Sequence, residues 1–194
     1  MGARGARVRI EAVLLTGGAS RRMGEDKAAL LVDGEPLGHR TARVLAEAGY
    51  HVTVLGAEPL EGHGFQRDEN PHEGPLTALR RFKPTAGAVF VAACDMPVFD
   101  SRLVSVLAGR LADADAVVPM SEGRLQPLCA LYLASAVRSL ATPELAEAKS
   151  MMRFLESLRV VALPDSELAA AGISPKALRG ANSPEELAAL QAPD

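Results

Sequence analysis

The 194-residue chain has no tryptophan, two tyrosines, five phenylalanines and two cysteines. So few aromatic rings build no stacking platform, and a formal net charge of −3 supplies no basic field. A nucleic-acid partner is therefore not expected. Cys94 and Cys129 lack C-x-x-C spacing, and each lies in an apolar, strand-like run. They read as buried, reduced thiols, which argues against a disulfide framework and for a reducing compartment, the cytoplasm. Nowhere do about 18 apolar residues run together, so no membrane span is expected. Arg4, Arg7 and Arg9 precede an apolar run that is short, contains Glu11 and lacks a small-residue cleavage site, so no export signal is read. His39, His51, His63 and His72 are too scattered for a zinc set. Ser20 has no evident His and Asp partners for a hydrolase triad.

What remains is an ordinary folding composition, 48% hydrophobic and 23% charged, at a length that fits one domain over residues 1–194. Val8 to Thr16 reads as a buried first strand delivering Gly17 and Gly18 into a loop that runs to Lys27. Ala28 to Val32 and the turn Asp33-Gly34 precede a helix marked by Leu37, Thr41, Val44, Leu45 and Ala48, which stops at Gly49. His51 to Leu55 is a strand, Gly56 to Gly74 a loop, and Pro75 to Phe82 a helix with proline in its first turn. The Ala/Val run from Gly87 to Cys94 is the clearest central strand, and it leads directly into Asp95-Met96-Pro97. Asp100 or Ser101 caps a helix whose face is Leu103, Val106, Leu107 and Leu111. Ala116 to Pro119, an extended stretch from Gly123 to Leu133, helices at Ala134 to Leu140 and Ser150 to Leu158, a strand at Arg159 to Leu163 and a capped helix from Ser183 to Leu190 complete the pattern. Alternating strands and helices predict an α/β fold, a three-layer sandwich on a mostly parallel, mixed sheet. Ligands of such sheets bind beyond the carboxyl ends of the strands.

Two segments fall at such ends. Thr16 to Lys27 combines three glycines with Arg21, Arg22 and Lys27. Glycine lets main-chain N–H groups approach an anion, and the cations offset phosphate charge, so the composition is that of a phosphate cradle. A solvated surface loop has the same composition. The spacing from Gly18 through Gly24 to Lys27-Ala28 does not fit G-x-x-x-x-G-K-[ST], and Gly17-Gly18 does not continue as G-x-G-x-x-G. The other is Asp95, at the carboxyl end of the central strand, where an aspartate can also cap the helix that follows.

The stretch from Leu15 through Gly17-Gly18-Ala19-Ser20-Arg21-Arg22-Met23-Gly24-Glu25-Asp26-Lys27 to Ala28 closely resembles the amino-terminal signature of the molybdenum cofactor guanylyltransferases. Asp68 with Gly74-Pro75-Leu76, then Cys94-Asp95-Met96-Pro97, then Asn182-Ser183-Pro184-Glu185-Glu186-Leu187 follow in that family's order. The resemblance implies a Rossmann-like nucleotidyltransferase fold. It also implies transfer of GMP from GTP to the terminal phosphate of molybdopterin, with release of pyrophosphate. Leu15, Thr16, Gly17 and Gly18 would then hold the guanosine, Asp68 would line the nucleotide site, and Arg22 and Lys27 would meet the phosphates. Asp95 would bind Mg²⁺, and Asn182, which could instead cap the helix beside Ser183, would stand near the molybdopterin phosphate. Transient contacts with other cofactor-biosynthesis proteins and apo-molybdoenzymes are implied as well. Three departures stand out: Thr16 for Ala, Leu55 where relatives carry Asn, and Gly180 for the first Asn of Asn-x-Asn-Thr-Pro. Arg124 and Gln126 are candidates for the second substrate or for an ordinary hairpin. Two alternatives remain open: a transferase using CTP or another phosphorylated acceptor, and a GTP-binding module without transfer activity.

Overall fold

A computed structural model describes residues 8–16, 31–69, 73–181 and 183–192. Ten strands are found among them: β1 (Ile10–Leu15), β2 (Leu31–Val32), β3 (Glu35–Pro36), β4 (His51–Gly56), β5 (Gly64–Arg67), β6 (Ala88–Ala93), β7 (Ala116–Ser121), β8 (Arg124–Leu125), β9 (Cys129–Leu133) and β10 (Val160–Leu163). The helices are α1 (Leu37–Glu47), α2 (Pro75–Arg81), α3 (Arg102–Ala108), α4 (Ala134–Ser139), α5 (Met151–Leu155), α6 (Asp165–Ala170) and α7 (Pro184–Gln191). The main sheet runs β10-β7-β9-β6-β1-β4-β5, with β8 hairpinned onto β7 and β2-β3 forming a separate ribbon. Strands β5, β4, β1 and β6 are mutually parallel, and β7 is parallel to β10; β9 lies antiparallel between β6 and β7.

Period-two alternation divides the apolar side chains between two faces. Ala12, Leu14, Phe90 and Leu131 pack against Ala42 and Leu45 of α1, Leu103 and Leu107 of α3 and Leu168 of α6. Val13, Leu15, Val89, Val91 and Tyr132 pack against Leu76 and Leu79 of α2, Val137 of α4 and Phe154 of α5. Both faces of β1 and β6 are covered, as continuous apolar strands require. The result is the expected three-layer sandwich on a mixed sheet. A third, smaller cluster joins Val32, Leu37, Ala181, Leu187 and Leu190, with Val98 against it. It fastens α7 to the β2 ribbon and the start of α1.

Several expectations change in detail. The stretch from 56 to 74 contains strand β5, whose alternating half-buried and exposed residues mark a sheet edge. The extended stretch from 123 to 133 is two strands separated by a turn, and the hairpin before it closes on Glu122 and Gly123, both at positive φ (53° and 74°), where glycine costs least. On α3, Val104 is buried and Val106 only partly so. Helix α6 and the 3-10 turns Pro143–Leu145 and Pro175–Leu178 have no counterpart in the sequence reading. They are too short to show a period.

At the amino end of β1, Glu11 is 4% exposed. Its carboxylate accepts from the main-chain N–H of Thr85 (2.6 Å) and Ala86 (2.8 Å) and from the Thr85 hydroxyl (3.1 Å). A buried carboxylate is tolerated only when its oxygens are paired, and here they fasten the approach to β6 onto β1. Glu11→Ala should cost about 3 kcal/mol, because two inward N–H groups lose a charged acceptor. Urea unfolding at unchanged m-value reads this as a lower midpoint. A loss of about 0.5 kcal/mol or less would mean that water replaces the carboxylate there.

Candidate functional site

Strand β1 is flanked by β4 on one side and β6 on the other, with Leu15 opposite both Leu55 and Ala93. The chain order thus reverses at β1, and the crevice beyond its carboxyl end is where ligands of open α/β sheets bind. The ladders continue one step past the strands: Thr16 N–H donates to Leu55 O (3.0 Å), Cys94 N–H to Leu15 O (3.2 Å) and Asp68 N–H to Gly56 O (2.8 Å). These bonds hold Thr16, Asp68 and the Cys94-Asp95 turn on one edge. Asp68 follows β5 and Asp95 follows β6, so β4 and β1 separate them by three strand spacings, roughly 14 Å. The two carboxylates are too far apart to share one ion. Among the described residues no cluster of three or more His, Cys, Asp or Glu side chains could hold a metal.

Asp95 owes its position to its neighbours. Cys94 and Met96 are both buried, which pins the turn from either side and leaves the aspartate half-buried between them. It lines a cavity of about 310 Å³ together with Gln126, Leu128, Cys129, Leu178 and Gly180. The cavity wall is tied down by main-chain bonds: Ala93 N–H to Leu128 O (2.8 Å), Cys129 N–H to Gln126 O (3.0 Å) and Ala181 N–H to Asp95 O (2.8 Å). Tyr132, fully buried, donates its hydroxyl to Pro127 O (2.8 Å) and so fixes the turn opposite Asp95. Burial, followed by the nearby Asp95 charge, pushes the Cys129 thiol well above its ordinary range. Cys129 is therefore a neutral wall residue, not a thiolate nucleophile.

The helix-cap alternative for Asp95 is not what the structure shows. Helix α3 begins at Arg102, its N-cap position is Ser101, and the Arg102 N–H is taken by Asp100 Oδ1 at 2.9 Å. Leu15 is buried in the core, and Thr16, half-buried, directs its hydroxyl to Leu55 O at 3.5 Å. Leu55 is 2% exposed and packs inward, so only its carbonyl serves this edge. Gln126 reaches the cavity, whereas Arg124 is exposed on the β8 hairpin. Ser183 caps α7, accepting from Glu186 N–H at 3.2 Å. Gly17, Gly18, Arg22, Lys27, Asn182 and His72 lie outside the described residues. Leu178 and Cys129 line the cavity without having been singled out for it, beside Gly180, which the sequence marked as a departure from the family pattern. No local pattern could have brought them there, because β9 and the 178–181 segment arrive at Asp95 from remote parts of the chain.

Comparison with known proteins follows the same lines. The model of the MobA-like NTP transferase domain matches residues 12–162. A protein of Opitutus terrae named as a probable molybdenum cofactor guanylyltransferase is 34% identical over 174 residues, covering 79% of this chain and 84% of that one. One of the same name from Pelotomaculum thermopropionicum is 31% identical over 185 residues, covering 90% and 88%. Among solved structures, the molybdopterin-guanine dinucleotide biosynthesis protein A of Archaeoglobus fulgidus superposes with a TM-score of 0.72 at 24% identity, covering 93% of this chain and 96% of that one. The 2-C-methyl-D-erythritol 4-phosphate cytidylyltransferase of Thermus thermophilus gives 0.64 at 19% identity, covering 94% and 97%. The last two likenesses speak to the fold, which serves more than one nucleobase. With a family match across most of its length and relatives above 30% identity, this chain belongs to the MobA-like NTP transferase family and is a nucleotidyltransferase.

Proposed function

We propose that the protein transfers GMP from GTP to the terminal phosphate of molybdopterin, forming the guanine dinucleotide form of the cofactor and releasing pyrophosphate. The observation that carries this reading is the juxtaposition at the switch point. Strand β1 ends at Leu15, where the glycine-rich segment begins, and hydrogen-bonds across to the Cys94-Asp95 turn beside a cavity large enough for a second ligand. Leu15, Thr16, Gly17 and Gly18 are assigned to guanosine, Asp68 to the nucleotide at the far end of the edge, Arg22 and Lys27 to its phosphates, and Asn182 to the acceptor phosphate. The names of the relatives support guanylyl transfer to this cofactor.

Enzymes of this kind typically use a divalent metal, and we assign Mg²⁺ to Asp95. The donor chemistry suits it: Mg²⁺ binds through one or two carboxylates plus substrate phosphates and keeps several waters, so it needs no dense protein cage. One half-buried aspartate in an open cavity meets that requirement; bound there, the ion would offset phosphate charge. The remaining work is positional. A phosphate oxygen of molybdopterin attacks the α-phosphorus of GTP, the new P–O bond forms in line, and the bond to the bridging oxygen breaks as pyrophosphate departs. Arg22 and Lys27 would orient the phosphates and offset their charge, where most phosphoryl-transfer catalysis resides. We further propose that residues 1–194 act as one nucleotidyltransferase domain in the cytoplasm. No helix among the described residues is long and apolar enough to cross a membrane.

A CTP-using transferase has the same fold, so the base must be read by the loop. We assign that reading to Gly17, where the absence of a Cβ is proposed to leave room for a purine. Saturating GTP with Mg²⁺ should raise the melting temperature on the order of 5–10 °C, and CTP much less. Equal shifts would remove the guanine assignment. Gly17→Ala should weaken GTP more than CTP, read by isothermal titration. Asp95→Asn should fold normally by circular dichroism yet lose on the order of 10²-fold in turnover at saturating GTP. Lys27→Ala should lose GTP affinity as well. Near-normal turnover of folded Asp95→Asn would send the metal assignment elsewhere, and absent pyrophosphate release from the wild-type protein with GTP and molybdopterin would leave a binding module.

A further inference from the structure

Gly180 departs from the asparagine of the family pattern, and its backbone does not explain why. Its φ lies outside the left-handed region in which six other described glycines are found, so an ordinary residue could adopt the same conformation. Space is the constraint. A methyl group on residue 180 would stand 3.0 Å from Cγ and Oδ2 of Asp95 and 3.1 Å from Oδ1. Contact that close forces a shift of one partner, and all three atoms it would meet belong to one carboxylate.

The main chain at 180 is poorly placed to give way. Leu178 on one side is 4% exposed within the large core, and Ala181 on the other is fully buried in the cluster with Leu187 and Leu190. Ala181 N–H holds the carbonyl of Asp95 at 2.8 Å. Arg179 pairs with Glu122 across 3.7 Å, and Lys176 Nζ donates to Ala192 O at 2.7 Å. The backbone of Asp95 and the segment passing over it are thus tied to each other, and a methyl at 180 would press on the carboxylate.

We infer that Gly180 is a positioning residue: the space left by its missing side chain gives the Asp95 carboxylate room to take its present orientation at the cavity. The inference rests on the assignment of Asp95 as the metal-binding group for its effect on the reaction, but its steric content does not. Any side chain at this position brings a Cβ within 3.0–3.1 Å of the carboxylate, which then has to give by a few tenths of an ångström.

A double-mutant cycle tests it in the full-length protein. Gly180→Ala should lower the melting temperature in the wild-type background, because the methyl meets the carboxylate. In an Asp95→Ala background the same change should be neutral or stabilising, since alanine at a compatible φ restricts the unfolded chain. Equal effects of Gly180→Ala in both backgrounds would overturn the inference. If Gly180→Ala alone does not fold, recovery of folding in Asp95→Ala/Gly180→Ala supports it and failure of both overturns it. For the orientation itself, Mn²⁺ affinity is measured by electron paramagnetic resonance with a non-hydrolysable GTP analogue. Folded Gly180→Ala should bind Mn²⁺ about tenfold more weakly, with metal-free nucleotide affinity unchanged and turnover partly restored at high Mg²⁺. Unchanged Mn²⁺ affinity in Gly180→Ala, with the affinity lost in Asp95→Asn, would sink the positioning role and leave the metal assignment intact. Unchanged affinity in Asp95→Asn would sink the metal assignment, while the melting-temperature cycle still decides the steric claim.

Discussion

The structure depends on the two-sided pairing of β1. A strand buried on both faces satisfies its N–H and C=O groups only by exchanging them with neighbours, and β1 does so with β4 over five residues and with β6 over six. Because all three run the same way, their carboxyl ends come to one edge. Because β4 and β6 leave β1 in opposite directions, the helices that follow them pass on opposite faces and leave a crevice between. The position of Thr16 next to the Cys94-Asp95 turn is a consequence of that register. A slip of one residue would turn Leu14 and Phe90 away from α1 and α3 and is excluded by packing.

What could be read in the sequence follows from what is local. Strand β6 announced itself as an uninterrupted apolar run, β1 as an apolar run broken only by Glu11, and α1 through its spacing and Gly49. Asp95 could be placed at a strand end because a carboxylate directly after such a run has nowhere else to be. Edge strand β5 was hidden because its half-buried positions are Gly64 and Gln66, which leave no apolar alternation to read. The site was only half legible for a different reason. Cys129 and Leu178 meet Asp95 through β9 and the 178–181 segment, and no spacing rule connects residues so far apart along the chain.

Two departures from the family pattern acquire different meanings once they are seen in three dimensions. Leu55 belongs to the core beside Leu76 and Leu79 and gives the edge its carbonyl. Gly180, which in the sequence looks like a lost side-chain contact, lies against the Asp95 carboxylate. A missing side chain can be a contact in its own right when the neighbour needs the room. The cluster of Val32, Leu37, Ala181 and Leu187 explains how a remote segment reaches that place: apolar burial docks α7 on the ribbon that follows the glycine-rich segment.

The flanks of the sheet carry a further consequence. Its outermost strands, Gly64–Arg67 and Val160–Leu163, are four residues long, whereas β1, β4 and β6 in the middle are six. An outer strand offers unpaired N–H and C=O groups to any extended chain that drifts past, and the offer grows with its length. Phe65 and Val161 are exposed on these two strands, so apolar attachment points exist. Brevity is then the protection: a ladder of four residues with charged Arg67 at one end and Arg159 leading into the other gives an intruding strand too little to hold, and the sheet stops growing where the fold needs it to stop.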